Sequence, residues 1–371
     1  MMASSADGFK AAKERATFSL ENDMWGGPAS DRNYTMGVLY TRHLNGTPEG
    51  ILLGTMYQGL GLVDSVLQMN TSGGKGVRSS WRLGSSNFTP TDIKDPSPIR
   101  TDRPYASLQY VGVGYKKDLG SNLVRETGFE VGVLGTNIGY AVQTAIHRVC
   151  CKDRLPQGWD NQIGDGGAAT FLYKAKWTIP TPFAYRSKYG QVGTFASAGF
   201  SLGYYTRALG GLSIFYGATP ADFRDLLNVG GTEGPPPIMP LGATGSDATN
   251  SHESLTAYQS TLANRRLLQE PPSRGFSVWI NYEVSAFAYN QLLQGAWFGS
   301  NRVTYEYRQI EPIVHLVNVG VEFTFIPIAL GIVEANDGMR IYWTQSYKTQ
   351  DLKAPIGKRH YWGGLFFSWP I

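Results

Sequence analysis

The sequence predicts an all-β fold: a transmembrane antiparallel β-barrel of about twelve strands, with a short helix in an extracellular loop. Three observations carry that prediction. The chain of 371 residues is sparsely charged for a soluble protein, its long segments alternate apolar and polar residues, and Tyr and Trp gather near the ends of those segments.

Charged residues make up 17% of the chain, where a soluble domain carries about a quarter. Mean hydropathy is -0.23. That value excludes a bundle of membrane helices, which needs several apolar runs of about 20 residues. A barrel satisfies both facts, because half of each strand faces lipid and half faces a polar lumen. The best candidate for a spanning helix, Ile51–Met69, is interrupted by Gln58, Asp64, Gln68 and several glycines. A short amphipathic helix in a loop is expected there instead.

Residues 1–14 are expected to form a flexible N-terminal segment. Residues 1–15 lack the apolar core of a signal peptide, so the export signal of a membrane barrel is expected to have been removed. The two cysteines, Cys150 and Cys151, are adjacent, which is no disulfide framework, and they read as two thiols. The net charge of +4 is scattered rather than clustered, which argues against nucleic acid as a partner.

The alternation is explicit in three segments. Phe276, Val278, Ile280, Tyr282, Val284, Ala286 and Ala288 share one face, opposed by Ser277, Asn281, Glu283 and Ser285. Ala196, Ala198, Phe200, Leu202 and Tyr204 oppose Gly193, Ser197, Gly199, Ser201 and Gly203. Val317, Val319, Val321, Phe323 and Phe325 oppose Asn318, Gly320, Glu322 and Thr324. A soluble sandwich alternates too, but its strands run to about 5 or 6 residues, and these run to about ten or more, as membrane strands do. The last segment is aromatic and alternating, through Tyr361, Gly363, Leu365, Phe367 and Trp369, and closes on Pro370-Ile371.

The predicted strands are 15–23, 33–44, 77–88, 104–117, 122–135, 168–178, 190–205, 208–217, 275–290, 310–326, 337–348 and 358–370. They form one domain over 15–371. An even count returns both chain ends to the periplasmic side and leaves no open edge in lipid. Parity places loops 24–32, 89–103, 136–167, 291–309 and 349–357 outside. It places the insertions 45–76 and 218–274 in the periplasm. The second insertion is rich in Gly and Pro over Gly230–Pro240 and has a possible short helix at Ala221–Asn228.

Chemistry-bearing residues collect at the predicted outer end. Glu21-Asn22-Asp23 ends the first strand, and Asp31-Arg32-Asn33-Tyr34-Thr35 opens the second. One hairpin holds both, so Asn22, Asp23 and Thr35 can approach each other. Alternation puts Asp23 and Thr35 on the register of Thr17, Ser19 and Glu21, and Asn22 on the other. The cluster therefore straddles the wall, or the strand breaks period near its tip. A carboxylate, an amide and a hydroxyl are hard oxygen donors that suit Ca²⁺ and not zinc. A plain hydrogen-bonded rim, with Asn-Asp turning the chain, explains the same residues.

Loop 136–167 predicts a short helix over Gly139–Cys151. Val142, Ile146 and Val149 fall on one stripe that could lie on the barrel. His147 is on the next face, one turn beyond Gln143. Histidine is the usual general base near neutral pH, although a solvated loop histidine is the plainer reading. No G-x-S-x-G, zinc spacing or phosphate-binding glycine loop is present. His252-Glu253-Ser254 has the His/Ser spacing of another kind of barrel esterase, but it lies in the periplasmic insertion.

Six motifs then occur in order. They are Asn22-Asp23, Asp31-Arg32-Asn33-Tyr34-Thr35-Met36-Gly37, Phe88-Thr89-Pro90-Thr91-Asp92, Thr101-Asp102-Arg103-Pro104-Tyr105-Ala106, His147, and Pro156-Gln157-Gly158-Trp159-Asp160-Asn161-Gln162. Together they resemble the lipid A 3′-O-deacylase (LpxR-type) family of outer-membrane proteins. The match is close over residues 16 to about 165 and continues as strand pattern beyond.

The resemblance implies a twelve-stranded barrel in the bacterial outer membrane, with its site between the wall and an extracellular-loop helix. It implies Ca²⁺-dependent hydrolysis of the 3′-linked acyloxyacyl ester of lipid A. Asn22, Asp23, Thr35 and His147 take the catalytic positions, with His147 activating water and Asp23 and Asn22 as metal ligands. The expected partners are lipid A, or lipopolysaccharide, in the outer leaflet, and the barrel assembly machinery; a monomer is expected. Arg32, Lys94, Arg100, Arg103 and Arg148 are candidates for the lipid phosphates, with Asp102 and Arg103 equally readable as a structural pair. Two rival readings stand beside this one: a structural or lipid-binding barrel without activity, and a phospholipase of the same mechanism.

Overall fold

The alternation resolves into an inverted protein, polar within and apolar without. The computed structural model describes residues 14–26, 32–44, 46–47, 50–67, 75–119, 123–187, 190–217, 275–325 and 339–371. Twelve antiparallel strands form one closed barrel. They are β1 (Arg15–Asn22), β2 (Asn33–Leu44), β3 (Lys75–Thr89), β4 (Ala106–Asp118), β5 (Val124–Leu134), β7 (Ala168–Ser187), β8 (Gly190–Gly203), β9 (Tyr205–Gly217), β10 (Gly275–Asn290), β12 (Ile313–Phe325), β13 (Met339–Lys348) and β14 (His360–Pro370). Two short strands, β6 (Ile163–Asp165) and β11 (Ser300–Asn301), pair separately above the barrel mouth. The barrel closes where β1 meets β14, with Arg15 opposite Pro370 and Asn22 opposite Gly363.

Every predicted strand is present. β2 and β10 span the residues expected, whereas β7 runs on to Ser187, well beyond the predicted 178. Periodicity weakens there at Pro180 and Pro182, and the ladder to β8 shifts register between Pro180 and Ala184.

The two faces decide what medium the barrel suits. Ser19, Glu21, Thr41, Asn281, Asn318 and Glu322 are buried on the inner register. Leu83, Leu212, Ile214, Ile280 and Phe323 are each more than half exposed on the outer one. A soluble core would reverse this; a membrane barrel requires it. Charges inside the lumen are kept in pairs, because an unpaired buried charge is costly. Arg82 lies 3.3 Å from Glu130, Arg207 3.5 Å from Glu283, and Lys116 3.9 Å from Glu126.

At the end away from the chain termini, the long loops bind one another. Asp102 is their hub. Its carboxylate accepts from Lys358 Nζ at 2.8 Å and from the Thr91 N–H at 3.0 Å. Burial opposes ionisation of Asp102, but the bonds from Lys358 and Thr91 outweigh it and hold the carboxyl below its usual range. Its contribution to the rim is present above the unfolded value of about 3.9 and fades as pH falls through the lower folded value. The Tyr305 hydroxyl donates to the Asp102 carbonyl, and Arg100 reaches the Arg302 carbonyl at 3.3 Å.

Arg103 belongs to this framework and not to an exposed phosphate site. It is buried, 3.7 Å from Asp351, with its guanidinium 4.2 Å from the centre of the Phe88 ring. Of the two readings of the Asp102-Arg103 pair, the structural one describes its surroundings.

The insertion 45–76 opens at the end of the barrel that strand parity assigns to it. It leaves and re-enters the barrel at the end carrying the termini, but its helix α1 (Ile51–Val66) turns back along the outside of the wall. Met56 and Leu60 are buried there against Val113, Tyr173 and Ala175. Apolar burial draws the helix onto the wall, which strand parity does not report. The insertion 218–274, with its predicted helix at 221–228, lies outside the described residues, as do residues 1–13 and most of the first hairpin tip.

Candidate functional site

Helix α2 (Ile138–Cys150) sits on the outer face of the wall near the rim. The wall is polar here, with Asn87 and Ser107 buried on the outer register of β3 and β4. A polar wall calls for a polar helix face. Gly139, Gln143, Thr144 and His147, spaced at helical intervals, are the buried stripe. The predicted stripe of Val142, Ile146 and Val149 does not lie on the barrel: Val149 is exposed, and Ile146 is exposed at the edge of the cleft between α2 and the first hairpin. The predicted placement of His147 beside Gln143 on one face holds.

The helix begins against the wall because residue 139 has no side chain. Its N–H donates to Ser107 Oγ at 3.1 Å. A Cβ there would lie 2.6 Å from Asn87 Oδ1 and 2.6 Å from the Trp159 ring. Gly139→Val is expected to push α2 off its seat and to cost about 1–3 kcal/mol of overpacking. Limited proteolysis should cut loop 136–167 faster in the variant, with the barrel itself still heat-modifiable on gels.

Below the helix, Trp159 packs on Tyr105 at 4.9 Å between ring centres, with Ile93 completing a small core. The Trp159 Nε1–H donates to Gln143 Oε1 at 2.8 Å. That bond fixes the amide orientation and turns Nε2 away from Trp159. Gln143 Nε2 is buried and has no hydrogen-bond partner among the described residues. His147 Nδ1 lies 2.5 Å from the Arg154 carbonyl oxygen. A carbonyl only accepts, so Nδ1 carries the proton, and in the neutral ring Nε2 keeps the lone pair.

The first hairpin supplies the facing side. Asn22 Oδ1 accepts from the Met24 N–H at 2.8 Å and caps a 3-10 turn over Asp23–Trp25. Asp23 is buried, and its Oδ2 accepts from the Arg32 N–H at 2.9 Å, which ties the two ends of the tip. In β2 a bulge between Tyr34 and Met36 breaks the period. Thr35 and Met36, adjacent in sequence, therefore both reach the same cleft. Of the two expectations for the tip, the broken period is the one realised. Thr35 Oγ1 lies 2.6 Å from Thr89 Oγ1.

Between hairpin and helix lies an open cleft. Asn22, Thr35, Thr89, Gln143, His147 and Trp159 are among its walls. Three of the four predicted catalytic residues thus share one cavity. Asp23 is not in the lining; it is buried behind it, next to Asn22. Of the predicted phosphate ligands none lines the cleft. Lys94, Arg100 and Arg148 are exposed, Arg32 is half-buried at the hairpin tip, and Arg103 is interior. Cys150 and Cys151 are joined to each other at the end of α2, contrary to the expectation of two thiols.

Sequence reasoning missed Gln143 and Thr89 as cleft residues. The signal for Gln143 was its place one turn before His147. No group of three or more His, Cys, Asp or Glu side chains converges among the described residues. The cleft instead offers amide and hydroxyl oxygens with one carboxylate close behind. That donor set fits a hard cation such as Ca²⁺ and not zinc.

A closed barrel with a polar lumen, an apolar exterior and a cleft at its rim defines the class: an integral outer-membrane β-barrel. The chain belongs to the LpxR family, since the family described as outer membrane protein LpxR matches it over residues 1–371. Among solved structures it is similar to LpxR from Salmonella typhimurium, with a TM-score of 0.67 and 14% identity over 96% of this chain and 100% of that one. That likeness is one of fold. The β domain of the Bordetella autotransporter BrkA is more distant, with a TM-score of 0.39 and 8% identity over 97% of this chain and 99% of that one. No curated protein matches the chain by sequence.

Proposed function

We propose that the protein is a lipid A deacylase that hydrolyses the 3′-linked acyloxyacyl ester in the outer leaflet with the help of Ca²⁺. The observation that carries this reading is the single cleft shared by Asn22, Thr35 and His147, at the rim and on the lipid side of the wall. Lipid A would meet it without leaving the membrane. The exposed Ile138, Ile146 and Val149 of α2 would lie against acyl chains, and Lys94, Arg100 and Arg148 would meet phosphates.

In this mechanism His147 Nε2 takes a proton from water while Nδ1–H stays on the Arg154 carbonyl. The hydroxide adds to the ester carbonyl carbon and leaves negative charge on its oxygen. Gln143 Nε2, held by Trp159 through its other end, donates toward that charge. The intermediate collapses, the bond to the sugar oxygen breaks, and His147 returns its proton to that oxygen. The products are a free acyloxyacyl acid and a 3′-hydroxyl. Asn22, Asp23 and Thr35 would hold Ca²⁺, which when bound supplies Lewis-acid stabilisation of the same developing charge.

Mass spectrometry of lipid A from cells making the protein tests the proposal. The expected result is loss of one acyloxyacyl group. An unchanged spectrum with folded protein in the membrane overturns it. A second reading has its own support: Asn22 and Asp23 both have architectural jobs at the hairpin tip. A lipid-binding barrel without activity would use them only for that, and would show no calcium uptake on titration. Cleavage of glycerophospholipids instead of lipid A would identify a phospholipase of the same mechanism.

A further inference from the structure

Helix α1 lies on the outside of the barrel, and its one acidic residue is hidden. Asp64 is fully buried. The Tyr173 hydroxyl donates to its carboxylate at 2.7 Å and Thr127 Oγ1 at 3.1 Å; the Tyr115 hydroxyl donates as well, and an Arg125 nitrogen lies 3.9 Å away. All four partners belong to the outward registers of β4, β5 and β7, where Tyr115 pairs with Thr127 and Phe129 with Tyr173. The outward register of a membrane barrel is where cationic and hydrogen-bonding groups are least tolerated. This patch of wall is therefore built to receive Asp64 and not acyl chains.

A second contact fixes the helix two turns before Asp64. The Tyr57 hydroxyl lies 2.6 Å from the Ser80 carbonyl and 2.7 Å from that of Gly114. The far face of α1 is the reverse of the near one. Leu62 and Val66 are 67% and 73% exposed, Ile51 and Leu52 are exposed with them, and Asp64 is the only Asp, Glu, Lys or Arg within Ile51–Val66. A helix of 16 residues is about 24 Å long, and it crosses several strands, from Trp81 on β3 to Phe200 on β8. It is too short and too polar to cross a membrane by itself.

We propose that α1 is seated in the bilayer, latched to the wall through Asp64 and touching acyl chains with Leu62, Val66 and their neighbours. The occupant follows from continuity. The exposed apolar residues that flank the helix, Leu83 on β3 and Phe171 and Leu202 on β7 and β8, are the lipid face of the barrel. The lipid surface of the protein thus passes over the helix. The inference is independent of any catalytic activity.

The test uses the full chain in liposomes of phosphatidylcholine and phosphatidylglycerol, with Cys150 and Cys151 replaced by Ser. A nitroxide is placed on Leu62→Cys or, for comparison, on the exposed rim residue Asp92→Cys. The label at 62 is expected to collide with oxygen more often than with a water-soluble nickel chelate, and the label at 92 to show the opposite. Equal chelate access at both positions overturns the proposal. So does spin–spin broadening at 62 that disappears on dilution with unlabelled protein, which would mark a contact with a second copy. Adding Asp64→Leu should shift the label at 62 toward water, while a retained gel shift on unboiled samples shows the barrel still closed. A label that stays in lipid without Asp64 overturns the latch.

Discussion

Replacing His147 by Ala is expected to lower the rate of lipid A deacylation by about 10²–10⁴-fold, the usual contribution of a general base. The loss should fall on kcat with KM little changed, since in the proposed mechanism the imidazole acts on water and not on substrate binding. The fold should survive. Gly139, Gln143 and Thr144 would still hold α2 on the wall, and the bond to the Arg154 carbonyl is worth only about 1 kcal/mol. Purified protein with lipid A in detergent, followed by mass spectrometry over time, checks the rate, and heat-modifiability checks the barrel. His147→Gln is the companion variant, because its amide can still donate to the Arg154 carbonyl. If Gln restores activity, the side chain serves to fasten the loop and not to move a proton.

The two faces of the strands were legible because a barrel repeats one simple rule along every strand. Phe323 out and Glu322 in can be read from alternation alone, and the structure keeps both. What was not legible depends on partners distant in sequence. The orientation of α2 follows from Asn87 and Ser107 on the wall beneath it, so its apolar stripe alone misplaced it by one face. Thr35 reaches the cleft only because a bulge at Tyr34–Met36 shifts its register. Arg103 reads as a surface cation until Asp351 and Phe88 close over it. Asp64 reads as an interruption in an apolar run, and only the polar patch on β4, β5 and β7 gives it a purpose. The motifs of the resemblance marked the right loops, whereas the packing that makes a cleft of them is a property of the folded chain.

Asp23→Asn is expected to weaken calcium binding steeply and, with it, to remove nearly all activity at subsaturating calcium, while leaving the hairpin in place. The reasoning turns on what the substitution keeps. Asp23 Oδ2 now accepts the Arg32 N–H at 2.9 Å, and an Asn Oδ1 can accept the same bond with the same shape. The architectural job therefore survives. The charge does not survive, and on the proposed reading a divalent cation held otherwise by amide and hydroxyl oxygens would lose its one anionic ligand. A metal that stabilises an oxyanion supplies several kcal/mol, so activity should fall by about 10³-fold or more at subsaturating calcium. Isothermal titration with Ca²⁺ reads the binding directly, and high calcium should restore part of the rate. Chelation of the unaltered protein should reproduce the loss reversibly. Full activity in Asp23→Asn, or in chelator, would leave the hairpin as a turn that merely closes the rim and would remove the metal from the mechanism.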